Sequence, residues 1–177
     1  MSQAEPLTER LSLSAPVDED HPHYRELLLA PQVSRWLRPA PLPAFSDPDP
    51  ALWLARDIAH WRKHGFGPWV VRERHSKRFI GRAGLGYSTV HRDTVVEVAW
   101  AILPSLWGNG LASESASRAL ALAQELGLGE VVSFTLPANA ASRRVMEKIG
   151  LEFDCQIQRA GIPHVLYRSG CTPSPRL

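Results

Sequence analysis

Cysteine is nearly absent: Cys155 and Cys171 are all that 177 residues contain. That count excludes a disulfide framework and a cysteine-rich zinc site, and it fits a cytoplasmic chain whose thiols stay reduced. Long apolar runs are missing too. No stretch approaches the roughly 18–20 residues that span a bilayer, so no membrane partner is expected. Met1 to Glu9 carries acids where a signal peptide would be apolar. Charge of one sign is also lacking, since 20 Lys and Arg stand against 18 Asp and Glu. No basic run marks a nucleic-acid partner. His60 and His64 share a helix face, but no third ligand is in evident reach, so no metal is expected.

What is present suits one globular domain. Hydrophobic residues make up 44% of the chain, enough for a core without metals or cross-links. We read flexible tails at 1–8 and 170–177 around a single domain at 9–169. The Arg10–Ala15 segment alternates as a half-buried strand. A helix near 21–30 follows, ended by Pro31, and then a proline-rich loop from Trp36 to Pro50. A helix at 49–64 stops at Gly65. Strands are expected at 66–73, 78–87 and 95–103, the first two joined at His75–Lys77. Ala112, Ala116, Ala119, Leu120 and Ala123 form an apolar stripe on a helix over 112–126. A strand at 131–136, a helix at 140–149 and a closing hairpin (153–159 and 164–168) complete an α+β layout around one mixed sheet.

The stretch Leu103-Pro104-Ser105-Leu106-Trp107-Gly108-Asn109-Gly110-Leu111-Ala112-Ser113-Glu114 carries the chemistry. A strand ends, a glycine-containing loop follows, and a small-residue helix begins. Such a loop aims backbone N–H groups at one point, and the helix N-terminus adds about half a positive charge. The product is an anion site for a phosphate or pyrophosphate; the alternative is a plain glycine turn. It is neither a dinucleotide fingerprint, because Ser113 takes the third glycine slot, nor a Walker loop, because no Gly-Lys-Ser/Thr occurs.

Gly108-x-Gly110-x-Ala112, after the strand Glu97-Val98-Ala99-Trp100, resembles the pyrophosphate loop of the GNAT acyltransferase superfamily. Residues Trp107 to Glu114 are similar to the RimJ/RimL-like branch, which acetylates ribosomal-protein N-termini. Asn139-Ala140-Ala141-Ser142, Lys148-Ile149-Gly150-Leu151 and the opening Thr8-Glu9-Arg10-Leu11-Ser12-Leu13 fit that branch as well. The resemblance covers roughly residues 8–168. It implies a mostly antiparallel sheet splayed between its fourth and fifth strands, with helices on both faces. It also implies acetyl-CoA as acyl donor, an amine acceptor (a protein N-terminus or a small molecule) and compatibility with a homodimer. The cofactor positions it implies are Ile102, Leu103, Ser105, Leu106, Trp107, Gly108, Asn109, Gly110, Leu111, Ala112, Asn139, Ser142 and Arg144. The Ile102 backbone N–H would stabilise the oxyanion.

Glu97, set among valines, is the candidate base, its pKa raised by burial; the other reading is an edge glutamate facing water. Asn139 caps the 140–149 helix and by resemblance bonds the cofactor arm. Ser142 is either a weak acid at the thiol or a first-turn serine bonded to backbone. Two positions depart from the family pattern. Ser105 stands where Gln or Arg is common. Met146 occupies the slot, seven residues after Asn139, where many members carry a proton-donating tyrosine, and a thioether has no proton to give. The competing classes are a non-catalytic acyl-CoA-binding module and a nucleotide-phosphate binder of another fold.

Overall fold

The computed structural model describes residues 7–170; the tails expected at 1–8 and 170–177 lie almost wholly outside them, as does Cys171. Fourteen elements build one seven-stranded sheet in the order β1-β2-β3-β4-β5-β7-β6. β1 (Leu11–Ser14), β2 (Pro68–Glu73), β3 (Phe79–Val90) and β4 (Asp93–Ile102) form an antiparallel meander. β5 (Val131–Thr135) is antiparallel to β7 (Ile162–Ser169), which pairs with β6 (Leu151–Arg159). Among the described residues no helix is long and apolar enough to cross a membrane.

The junction of the two halves shapes the site. β4 and β5 run parallel and pair only at Val96↔Val131 and Glu97↔Val132. β4 then continues to Ile102 and β5 to Thr135 without a shared register. The fourth and fifth strands therefore splay, as the family resemblance implies, and Glu97 stands at the apex of the V.

Alternation along the strands sorts the two faces. Val96, Val98 and Ile102 pack in one cluster with Ala116, Ala119 and Ala123 of α4 (Leu111–Glu125) and Met146 of α5 (Ala140–Lys148). Small residues on α4 let the helix lie close to the sheet. Ala101 and Leu103 face the other way. They pack with Tyr24, Leu27 and Leu28 of α1 (His21–Leu29) and Leu54 and Ile58 of α3 (Asp49–His64). Glu97 shares their parity and so belongs to the α1–α3 face.

Two expectations are corrected. Pro31 ends α1 but also opens a further helix, α2 (Pro31–Leu37); proline lacks only a backbone N–H that would have had no partner at the first helical position anyway. The proline-rich loop thus begins only after Leu37. The β3–β4 hairpin is longer than expected because the chain turns at His91–Arg92, both left-handed at φ 48° and 76°. Neither is a glycine, so no turn signal marked the place.

Candidate functional site

The splay opens into a cleft of about 1070 Å³ that runs from the start of α4 to the space beneath α3. This is at the upper end of the size of ligand pockets, about 300–1,000 Å³, and gives room for a long ligand and a second molecule. Glu97, Ile102, Leu106, Trp107, Gly108, Gly110, Leu111, Ala112, Asn139, Ser142 and Arg144 all line it.

One half is built from backbone. After β4 a short 3-10 turn (Pro104–Leu106) leads through Gly108 and Gly110, left-handed at φ 81° and 76°, into α4. The N–H groups from Gly108 to Ser113 donate to no acceptor among the described residues. An N-terminal turn leaves such donors unpaired by construction, and all but Asn109 belong to residues that line the cleft. A Cβ built on Gly108 would meet nothing within 4 Å, so the space above the loop is open. Arg10 holds the loop from behind: its Nε donates to Glu114 Oε2 at 2.6 Å and its Nη1 to the Asn109 carbonyl at 2.9 Å. Burial acts to raise the Glu114 pKa, but hydrogen bonds from Thr8 and Arg10 prevail and hold it below the usual range.

The cofactor residues expected from the sequence divide by placement. Leu103 is buried against the α1–α3 cluster, and its N–H donates to Ile80 O at 2.9 Å. Strand alternation then turns the Ile102 N–H into the splay. Trp107 Nε1 donates to the Ile102 carbonyl at 2.7 Å and fixes the end of β4. Ser105 is exposed and Asn109 turns inward to its own loop, Nδ2 donating to Leu106 O at 3.0 Å; neither lines the cleft. Asn139 Oδ1 accepts from Ser142 N at 3.2 Å and its Nδ2 donates to Thr135 Oγ1 at 3.0 Å. It caps α5 and ties the helix to the end of β5. Ser142 Oγ has no partner among the described residues, which leaves its proton free in the cleft. Met146 is buried in the core, away from the cleft.

The other half is built from side chains that come from distant segments. Gly86 is the cross-strand neighbour of Glu97, and a Cβ on it would meet nothing within 4 Å. The floor beside Glu97 is therefore low. Burial pushes the Glu97 carboxyl pKa up, and the guanidinium groups of Arg159, Arg82 and Arg56 oppose that shift. Asp57 is spent on structure: Arg82 Nη2 donates to its Oδ1 at 2.8 Å and Tyr24 Oη donates to its Oδ2 at 2.7 Å. His60 is likewise engaged. Its Nδ1 lies 2.9 Å from the Phe66 carbonyl, which can only accept, so Nδ1 carries the proton. Nε2 then accepts from Tyr87 N at 3.3 Å. Arg56, Arg82, Arg159, Asp57 and Gly86 carry no local signal; each acquires meaning only through partners far away in sequence. Trp36, Leu37, Pro39 and Leu42 of α2 and the following loop close this half from outside.

Comparison with known proteins agrees with this geometry. The acetyltransferase (GNAT) domain family matches residues 10–152. A solved structure from Bordetella pertussis, described as a putative GnaT-family acetyltransferase, superposes with TM-score 0.80 at 21% identity, covering 95% of this chain and 100% of that one. An acetyltransferase from Agrobacterium tumefaciens gives 0.79 at 26% identity, with 95% of each chain covered. RimL, a ribosomal L7/L12 alpha-N-protein acetyltransferase solved with coenzyme A, gives 0.73 at 15% identity over 94% of this chain and 97% of that one.

Proposed function

Because the chain belongs to the GNAT acetyltransferase family, we propose that its cleft brings acetyl-CoA to a primary amine and that the amine attacks the thioester directly. The observation that carries this reading is the row of unpaired N–H groups from Gly108 to Ser113 beside an open splay of β4 and β5. Amides at a helix N-terminus suit a pyrophosphate. An unpaired strand flank suits an extended amide-bearing arm, which adds to it as a further strand. The residues present thus fit the cofactor. Gly108 to Ala112 would hold the pyrophosphate, with Leu106 and Trp107 beside it, while Ser105 and Asn109 shape the turn. Ile102 and Leu103 would offer the strand end to the arm, Asn139 its remaining amide hydrogen, and Arg144, exposed on α5 at the cleft, a charge for phosphate.

When bound, acetyl-CoA supplies an activated acetyl thioester. Glu97 then removes a proton from the acceptor nitrogen, directly or through water, and its raised pKa brings its basicity closer to the task. The Ile102 N–H, turned into the splay, would stabilise negative charge developing on a carbonyl oxygen held there. Ser142 Oγ–H, which lines the cleft with no partner among the described residues, is our candidate donor to the leaving sulfur, since Met146 lies in the core and has no proton to give. A need for acetyl-CoA supports a cytoplasmic location.

The test is calorimetry with acetyl-CoA, free CoA and NADH on the wild type and Ser113→Glu. Glutamate in the first turn favours α4 through the helix dipole, so the variant folds but sets a carboxylate against the pyrophosphate. Micromolar acetyl-CoA binding, weakened at least about tenfold (about 1.4 kcal/mol) in the variant, supports the reading. Folded protein that binds no CoA species rejects it.

A further inference from the structure

The acceptor half of the cleft has an unbalanced charge, and the imbalance selects among amines. Its carboxylates and guanidinium groups, five among the described residues, set it, and they fall into three kinds. Asp57 and Arg82 neutralise each other in a bidentate pair. Glu97 is the one remaining carboxylate that lines the cleft. Arg56 and Arg159 line it too, and neither has a carboxylate partner among the described residues.

Both guanidinium groups are held in place by stacking. Arg159 lies 3.8 Å over the Phe134 ring, and its Nη1 and Nη2 donate to Thr89 O at 2.8 Å and Ser88 Oγ at 3.2 Å. Those bonds bring the tip of the β6–β7 hairpin to the end of β3. Arg56 lies 4.7 Å over Trp53, on the exposed side of α3. A stacked guanidinium keeps edge N–H groups available in a fixed plane, a geometry that matches a carboxylate. The same two charges repel a second ammonium.

Resting on the acetyltransferase reading above, we propose that the accepted amine carries a carboxylate, which Arg56 and Arg159 hold while the nitrogen lies at Glu97. Polyamines and polycationic amines are poor acceptors, because only one of their charges finds Glu97 and the rest face arginine. Whether the carboxylate belongs to a free amino acid or to an acidic peptide N-terminus, the recognition chemistry is the same.

The experiment follows thiol release from acetyl-CoA with aspartate, glutamate, their neutral counterparts with every carboxyl esterified or amidated, a short peptide with an acidic N-terminal residue, and spermidine. Wild type is compared with Arg56→Gln and Arg159→Gln. The expected result is kcat/KM at least about tenfold higher for an acidic amine, free or peptidic, than for its neutral counterpart. That ratio falls towards one in both variants, mainly through KM. Arg56 is surface-exposed, so its variant keeps the test valid even where loss of Arg159 loosens the hairpin. Equal turnover of acidic and neutral amines, preference for spermidine, or a ratio that neither variant changes overturns the proposal and leaves acetyl transfer standing. Absence of thiol release with every amine counts against the acetyl-transfer reading itself.

Discussion

The two halves of the cleft are made of different material. Towards α4 the site is main chain, a run of amides set by two left-handed glycines and by the start of a helix. Towards α3 it is side chain, with Glu97, Arg56 and Arg159 drawn from β4, α3 and β6. Each half contains one perturbed glutamate, and the two are shifted in opposite directions. Glu97 is raised by burial; Glu114 is lowered by the donors around it in spite of burial. On the proposed function, a half built from backbone would hold what every acetyl-CoA shares, while a half built from side chains could be rebuilt for a different acceptor without moving the first.

The largest effect is expected from Glu97→Gln. Removing a general base costs about 10²–10⁴ in rate, with acetyl-CoA affinity expected to be nearly unchanged because the amides proposed to bind phosphate are elsewhere. In the wild type kcat/KM rises with pH through a carboxylate pKa above the usual range. Stability moves the other way. A raised folded pKa means that the folded state favours the protonated acid, so this contribution is full below the unfolded value of about 4.3. It is lost as pH rises through the folded pKa. Glu97→Gln therefore melts at or above the wild-type temperature at pH 8, and its advantage vanishes near pH 4. Melting curves at both pH values decide it; a less stable variant at pH 8 would mean that Glu97 holds structure.

A smaller and more selective effect is expected at Gly86. A side chain there meets no atom, and it would stand beside Glu97 on the acceptor floor. Gly86→Val, which adds an isopropyl group, raises KM for the amine at least about 10–100-fold, given the roughly 1–3 kcal/mol that even one methylene commands in a pocket. Acetyl-CoA binding by calorimetry stays within about twofold. Equal losses for both substrates would break the division into halves.

That division also explains how far the sequence could be read. The loop from Leu103 to Glu114 is legible because its parts are neighbours: strand end, glycines and helix start act on one another within a dozen residues. The mixed sheet was legible from strand alternation, and its splay through the family resemblance of that same loop. The acceptor half was not. Asp57 meets Arg82, and Arg159 meets Ser88 and Thr89, only once α3 and the β6–β7 hairpin are laid over the sheet. Periodicity reports that a residue is on a face; it does not report which distant residue shares that face. Helix α2 was hidden for a local reason, since Pro31 is both a stop for one helix and a start for the next.

The smallest effect lies behind the amide loop, at the Arg10–Glu114 pair. Arg10 is about half exposed, with 48% of its side-chain surface accessible, while Glu114 retains 16%. A partly exposed pair of this kind contributes about 0.2–1 kcal/mol. Its task is to keep the Asn109 carbonyl and the first turn of α4 in one position, which pre-organises the amides. Glu114→Gln is expected to weaken acetyl-CoA two- to fivefold, on the order of that energy, and to leave the amine KM alone. The lowered pKa sets its pH dependence. A depressed folded pKa gives stability that is present above the unfolded value of about 4.3 and lost as pH falls through the folded one. Wild type and variant should thus differ in melting temperature at pH 7, and the gap should close only in more acidic solution than ordinary glutamates require. Glu97→Gln leads its wild type at high pH and Glu114→Gln trails it there, so one pH series on both variants separates the half built from backbone from the half built around a half-buried carboxylate.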